Sequence, residues 1–249
     1  MRIDRILTMC GYCTRSHASR FLTIHRFYLE GDKRRIMSTS KLIHDPTKLL
    51  MDGEPLEYPF ADFTLLLHKP EGYICSTERE YEGAKIVPDL LTERFRNRHP
   101  ALNCAGRLDI DTTGIVLMTQ DGILQNEITS SRFEKEYIVK FTPPFEKQDD
   151  FEDMRRSFAS GRLTLKKEKN PCLPASLELV SQDCVKVTIT EGKYHQIKKM
   201  FACFGKRITQ LKRIRIGHIV LDEDVVPEGS WRALTPKEIE QFRPSHSQS

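Results

Sequence analysis

The sequence is short of several things, and each shortage removes a class of protein. No run of eighteen apolar residues occurs in the 249-residue chain, so no membrane-spanning helix is expected. Its start, MRIDRILTMCGYCTR, has neither a long apolar stretch nor a small-residue cleavage site. That argues against a secretory signal and for a cytoplasmic protein. The seven cysteines are odd in number and scattered, so reduced thiols are expected rather than a disulfide framework. Cys10 and Cys13 form a C-x-x-C, but no second pair follows to complete a zinc quartet, and no strand precedes it as in a redox motif. Both are read as structural thiols. Neither a P-loop nor a dinucleotide-binding glycine fingerprint is present.

What remains is the composition of a folded protein with a real core, 39% hydrophobic and 30% charged. The formal net charge is only +4, so the placement of charge matters more than its total. Residues 1–58 read as one unit. Ile3, Ile6 and Leu7 share one helical face, and Ala18, Phe21 and Leu22 share the next. Thr14 or Ser16 is placed to cap the second helix. RFYLEGDKRR reads as a strand, a turn at Gly31 and a basic return. DPTKLLMDGEPLEY reads as strand, Asp-Gly turn, strand. Arginines 2, 5, 15, 20 and 26 dominate the helical part.

EYPFADF, residues 57–63, reads as a linker to a second unit over 59–243, and 244–249 as a disordered tail. The second unit opens with the buried strand FTLLLHK and a second short strand in YICST. Further strands are expected at 114–119, 135–141, 175–180 and 184–190. KYHQIKKMFACFG reads as a helix ended by Gly205, and PKEIEQF as a short helix capped by Thr235. Strands outnumber helices and rarely alternate with them. The expected class is therefore α+β with a mainly antiparallel or mixed sheet flanked by helices, not a doubly wound Rossmann fold.

Three stretches could carry chemistry. In AGRLDIDTTGIVLMTQDG, Asp109 sits in a Gly-flanked loop just before a buried strand, where a carboxylate can be held as nucleophile or base. Asp109-x-Asp111-x-Thr113 also mimics a phosphatase nucleophile loop. That chemistry wants an apolar strand directly before the first Asp, and NCAGRL is not one. In KEYIVKF, Tyr137, Val139 and Phe141 share one strand face. In residues 191–218 there are eight Lys/Arg against one acid, with Tyr194, Phe201 and Phe204 interleaved. Cations for phosphate and rings for bases make a nucleic-acid footprint; the bland alternative is a solvated helix face with Phe201 and Phe204 in the core.

Taken together, these stretches resemble the pseudouridine synthases, most closely the RsuA-type branch that acts on ribosomal RNA. HKPEGYICST is similar to the branch's N-K-P-x-G strand, with His68 in place of Asn. AGRLDIDTTGIVLMTQDG matches G-R-L-D-x-x-T-x-G-L-L-L-x-T-x-D-G, and EKEYIVKF matches K-x-Y-x-V. EGKYHQIKKMFACFG matches E-G-[KR]-x-H-Q-[IV]-[KR]-R-M, with Lys199 where Arg is common. LKRIRIGHIVL and GSWRALTPKEI resemble the closing motifs. CGYCTRSHASRFL resembles the S-four-type alpha-L RNA-binding module, with Thr14 for the common Ser.

The resemblance implies isomerisation of uridine to pseudouridine: the C1′–N1 bond breaks, the uracil turns while bound, and a C1′–C5 bond forms. No cofactor and no metal are needed. It implies that Asp109 is the catalytic aspartate, either attacking C1′ or removing a ribose proton, with Lys198 paired to it and keeping it ionised. Tyr137 is expected to stack on the target uracil and Arg107 to fill the gap left by its extrusion. Lys193, Lys199, Lys212 and Arg213 are expected on phosphates, with Arg15 and Arg20 on the first module. Asp111 and Thr112 are expected to brace the loop by Asx-type bonds. The implied partner is ribosomal RNA or a small-subunit assembly intermediate, bound by a monomer, with uridine 516 of 16S rRNA as the implied site. A large-subunit (23S) enzyme of the same branch, or a non-catalytic assembly factor, are the alternatives.

Overall fold

The computed structural model describes residues 1–56 and 63–243; the expected linker, apart from Phe63, and the expected tail lie outside the described residues. Helices α1 (Ile3–Met9) and α2 (Ala18–Ile24) pack beside a small antiparallel sheet of β1 (Phe27–Leu29), β2 (Leu49–Met51) and β3 (Glu54–Pro55). Ile3, Ile6, Leu7 and Leu22 close against Phe27, Ile43 and Leu49 in a core of their own. Burying each such side chain contributes about 1.5–3 kcal/mol. The β2–β3 turn is Asp52-Gly53, both at positive φ, as a tight hairpin of this hand demands. The expected side-chain cap of α2 is absent. His17 precedes the helix, and the Thr14 hydroxyl bonds the Ser16 and His17 side chains instead of a backbone N–H.

The remainder is built on one mixed sheet. Its strands are β4 (Thr64–Lys69), β5 (Asn103–Ala105), β6 (Thr113–Thr119), β7 (Lys135–Thr142), β8 (Ser176–Ser181), β9 (Cys184–Ile189), β10 (Arg207–Ile216), β11 (Ile219–Val220) and β12 (Trp231–Ala233). The order is β12-β4-β6-β10-β7-β9-β8, with β5 on β6 and β11 on β10. All pairings are antiparallel except β6 with β10. The α+β expectation with a mixed sheet holds.

Helices cover both faces of β4 and β6, which is why those strands read as unbroken apolar runs. Leu65, Leu67, Val116 and Met118 face one core, shared with α5 (Gln148–Ala159) and α6 (Gln196–Ala202). Leu66, Ile115 and Leu117 face the other, shared with α4 (Gly122–Thr129) and Phe242. Strand β7 instead alternates: Tyr137, Val139 and Phe141 point into the core and Lys140 to solvent. Phe201 is buried and Phe204 packs against the same core, as the bland reading had it. Thr235 caps α7 (Pro236–Glu240) through a capping box with Glu238.

Two further expectations need correction. YICST forms no strand; only Ile74 makes an isolated bridge, to Ile86. KYHQIKKMFACFG is helical only from Gln196, because His195 takes a left-handed backbone and breaks the run. The two units meet where the Thr8 carbonyl accepts from His99 N (3.1 Å) and Arg94 donates to the Tyr12 hydroxyl (2.9 Å).

Candidate active site

The parallel seam between β6 and β10 sets the site. Arg213 pairs in register with Gly114, and the loop from Gly106 to Thr112 arrives directly above that seam. Gly114 has φ +105, and a Cβ there would lie 2.1 Å from the Arg213 carbonyl oxygen, so only glycine allows the strands this close. The loop backbone is then held at several points. Buried Lys69 donates to the carbonyls of Pro70 (3.0 Å), Ile110 (3.3 Å) and Thr112 (2.7 Å). Burial pushes its ammonium below the ordinary lysine pKa. Arg213 donates to the Gly106 carbonyl at 2.9 Å, and Leu108 N–H points at the Cys75 sulfur at 3.4 Å. A turn from Thr112 N to the Asp109 carbonyl closes the loop.

This frame aims Asp109 into a cleft of about 890 Å³. Lys198 Nζ from α6 lies 2.9 Å from Asp109 Oδ2 and 2.5 Å from Asp111 Oδ1. His195 Nε2 lies 3.3 Å from Asp109 Oδ1. Burial works to lower the Lys198 pKa, but its bonds to Asp111 and Asp109 outweigh that and hold it above the ordinary value. Burial likewise favours the neutral acid at Asp111, and the Lys198 hydrogen bond and charge reverse it, leaving the pKa lowered. Tyr137 lines the cleft from β7, only 8% exposed, with its hydroxyl 3.5 Å from an Arg213 nitrogen. Arg107 stands exposed on the rim, with no hydrogen bond or ion pair among the described residues. A carboxylate beside a fixed ammonium, a buried phenol edge and a free guanidinium at the mouth form a site for a flat, polar ligand attached to an anionic chain.

A family model described as RNA pseudouridylate synthase matches residues 63–203, the stretch that builds this cleft. The chain belongs to that family. It is 37% identical to a ribosomal small subunit pseudouridine synthase A of Yersinia pestis, over 99% of this chain and 100% of the relative. It is 39% identical to the protein of that name from Escherichia coli K12, over 96% and 98%. A crystal structure described as a pseudouridylate synthase superposes with a TM-score of 0.65 at 34% identity, covering 98% of this chain and 100% of that one. The protein is thus a pseudouridine synthase.

Within this synthase the sequence-derived residues part into two groups. Asp109, Lys198, Tyr137 and Arg107 converge on the cleft. Several expected phosphate ligands do not stand free. Arg213 is 3% exposed and spends its donors on the Ile115 carbonyl (2.8 Å) and on Gly106, as a brace under the loop. Lys193 Nζ donates to the Asn170 and Pro171 carbonyls, each at 2.7 Å, pinning its own loop. Lys199 pairs with Glu168 at 3.5 Å, and Lys212 with Glu223 at 2.6 Å. Arg15 and Arg20 are exposed on the first unit, and their side chains make no hydrogen bond or ion pair among the described residues. Asp111 braces the loop as expected in effect but by another route, an ion pair across to α6. The Thr112 hydroxyl is buried and has no partner among the described residues.

Three residues of the site lie in the quoted motifs, yet the sequence assigns them no role. Lys69 is one, since nothing local marks a lysine after an apolar run as buried. Lys135 is another: it donates to the Ser130 and Thr190 carbonyls, and burial, with the nearby Arg213 charge, brings its pKa down to about 8. His195 is the third, and only its backbone conformation turns it toward Asp109. Among the described residues no cluster of three or more His, Cys, Asp or Glu is placed to hold a metal, and no helix is long and apolar enough to cross a membrane.

Proposed function

We propose that this synthase isomerises a uridine of small-subunit (16S) ribosomal RNA to pseudouridine, at the uridine 516 position. The observation that carries the proposal is near full-length similarity to proteins named for the ribosomal small subunit, at 37–39% identity. The cleft supports it. Asp109 is the reacting carboxylate at C1′, as nucleophile or as base for a ribose proton, and Lys198 at 2.9 Å orients it. Tyr137 takes the extruded uracil on its ring, and Arg107 fills the vacated place in the RNA, offsetting an unstacking cost of about a few kcal/mol. The unit at residues 1–56, with Arg15 and Arg20 outward, holds the RNA by its phosphates. The enzyme acts in the cytoplasm as a monomer, on naked rRNA or on an assembly intermediate, without added metal or cofactor.

The test is nucleoside mapping of 16S and 23S rRNA after incubation with the protein in the absence of metal. One new pseudouridine in 16S is expected, and none with Asp109→Asn. Modification of 23S alone would move the substrate assignment, and an active Asp109→Asn would remove Asp109 from the chemistry.

A further inference from the structure

Asp109 has two carboxylate oxygens, and the structure gives each its own partner. Oδ2 faces Lys198 at 2.9 Å, and Oδ1 faces His195 Nε2 at 3.3 Å. Lys198 alone does not fix the carboxylate, because its ammonium is shared with Asp111, which lies closer at 2.5 Å. A single shared partner leaves the Asp109 carboxylate free to turn about its terminal torsion, which is broad for an aspartate. A second donor on the other oxygen removes that freedom.

His195 is held for this task. It is one of three non-glycine residues at positive φ among the described residues, with φ 51 and ψ 37, and such a backbone carries about 1–2 kcal/mol of strain. An ordinary helical start would carry its ring elsewhere. The loop that imposes the conformation is pinned on both sides. The Gln196 side chain accepts from Lys193 N (2.9 Å) and donates to Glu191 (2.7 Å), while Lys193 is tied to the backbone at 170 and 171. Outside, the 72% exposed Tyr194 ring lies flat on the imidazole, centroids 3.8 Å apart and planes 20° apart. His195 directly precedes α6, and from there its ring reaches the same carboxylate as Lys198 on the first turn.

We propose that His195 is a positioning residue of the reaction, donating from Nε2 to Asp109 Oδ1 so that the carboxylate meets the ribose in one orientation. This rests on Asp109 being the reacting carboxylate.

The experiment separates donor from ring. His195→Phe keeps the ring for the Tyr194 stack and removes the donor. His195→Gln removes the ring and keeps an N–H near the same place. His195→Leu is a second donor-free variant. Single-turnover and steady-state rates on an rRNA fragment are measured for each, with thermal unfolding as the check on folding. Phe and Leu are expected to lower kcat by about 10–100-fold, the scale of a misoriented reacting group, with KM changed by less than about threefold. Gln is expected to restore kcat to within about fivefold of the parent. Wild-type rates for Phe or Leu, or equal losses for Gln and Phe, would overturn the assignment. Asp109→Asn is run alongside. If it stays active, the reading of Asp109 has failed; if it is dead while His195→Phe is fast, only the role of His195 has.

Discussion

Replacing Arg213 by Met separates two roles that predict opposite results. If Arg213 gripped phosphate, its loss would leave the fold alone and weaken RNA binding. The structure places it under the Asp109 loop, 3% exposed, bonded to the carbonyls of Ile115 and Gly106 at 2.8 and 2.9 Å. Methionine fills much of the stem volume but leaves both carbonyls without their donor. An unsatisfied buried acceptor costs about 1–3 kcal/mol, so two cost about 2–6. The guanidinium also carries a desolvation cost that the variant no longer bears, which returns part of this. A net loss of about 2–4 kcal/mol remains. For a chain of this length each kcal/mol moves Tm by about 2–4 °C, so a fall of about 4–16 °C is expected. The assay pairs thermal unfolding with RNA affinity measured across salt concentrations. The slope of log affinity against log salt should not change, since no phosphate contact is lost. A Tm within about 1 °C of the parent together with a slope shallower by about 0.7–0.9 would refute the brace.

The opposite signature is expected for Arg15→Ala with Arg20→Ala: an unchanged Tm, and a salt slope shallower by about 1.4–1.8 if both meet phosphates. Gly114→Ala should lose most soluble protein, since its Cβ would meet the Arg213 carbonyl at 2.1 Å, whereas Gly31→Ala, with open space around it, should cost only about 1–2 kcal/mol of backbone strain. Similar yields and Tm values for the two would contradict the close strand approach. Glu238 has its pKa drawn from 4.5 down to about 2, by the Arg232 hydrogen bond first and then, against partial burial, by Thr235. A depressed carboxyl contributes stability that is present above pH 4.5 and lost as pH falls toward 2. Glu238→Gln should therefore flatten the decline of Tm across that window, and an unaltered Tm profile between pH 6 and 2 would count against the pairing.

What could be read from the sequence follows from how locally each feature is encoded. Strands β4 and β6 are legible because two covered faces require continuous apolar residues, and β7 because one face is wet and the pattern alternates. Strand β10 escapes notice for a physical reason. Register shifts between Ile208 and Gln210 and between Arg213 and Arg215 break the period of two, so RITQLKRIRI looks like basic surface. Helix α5 buries only Phe151, Met154 and Phe158, a stripe too thin to stand out among its charges. In the site, Asp109, Tyr137 and Lys198 lie in long motifs with fixed spacing, and so do Lys69 and His195, whose tasks those motifs leave unstated. Lys69 and His195 act through burial and a left-handed backbone, neither of which a residue type announces.

The same distinction alters how the basic stretch at 191–218 should be understood. Its eight cations against one acid look like an RNA surface only while partners are counted along the chain. In the fold, acids and carbonyls arrive from elsewhere: Glu168 to Lys199, Glu223 to Lys212, Glu134 and Glu136 to Arg215, the Pro144 carbonyl to Lys206. Lys198 is absorbed by Asp109 and Asp111, Lys193 and Arg213 by backbone. Of the eight, only Arg207 has a side chain without a hydrogen bond or ion pair among the described residues. Cations already paired must break those bonds to meet a phosphate, and each exchange gains little. Arg107, Arg207, Arg15 and Arg20 need break none within the described structure. The salt-dependent part of RNA affinity should therefore fall on unpaired side chains such as these, scattered over the sequence, more than on the stretch where positive charge is densest.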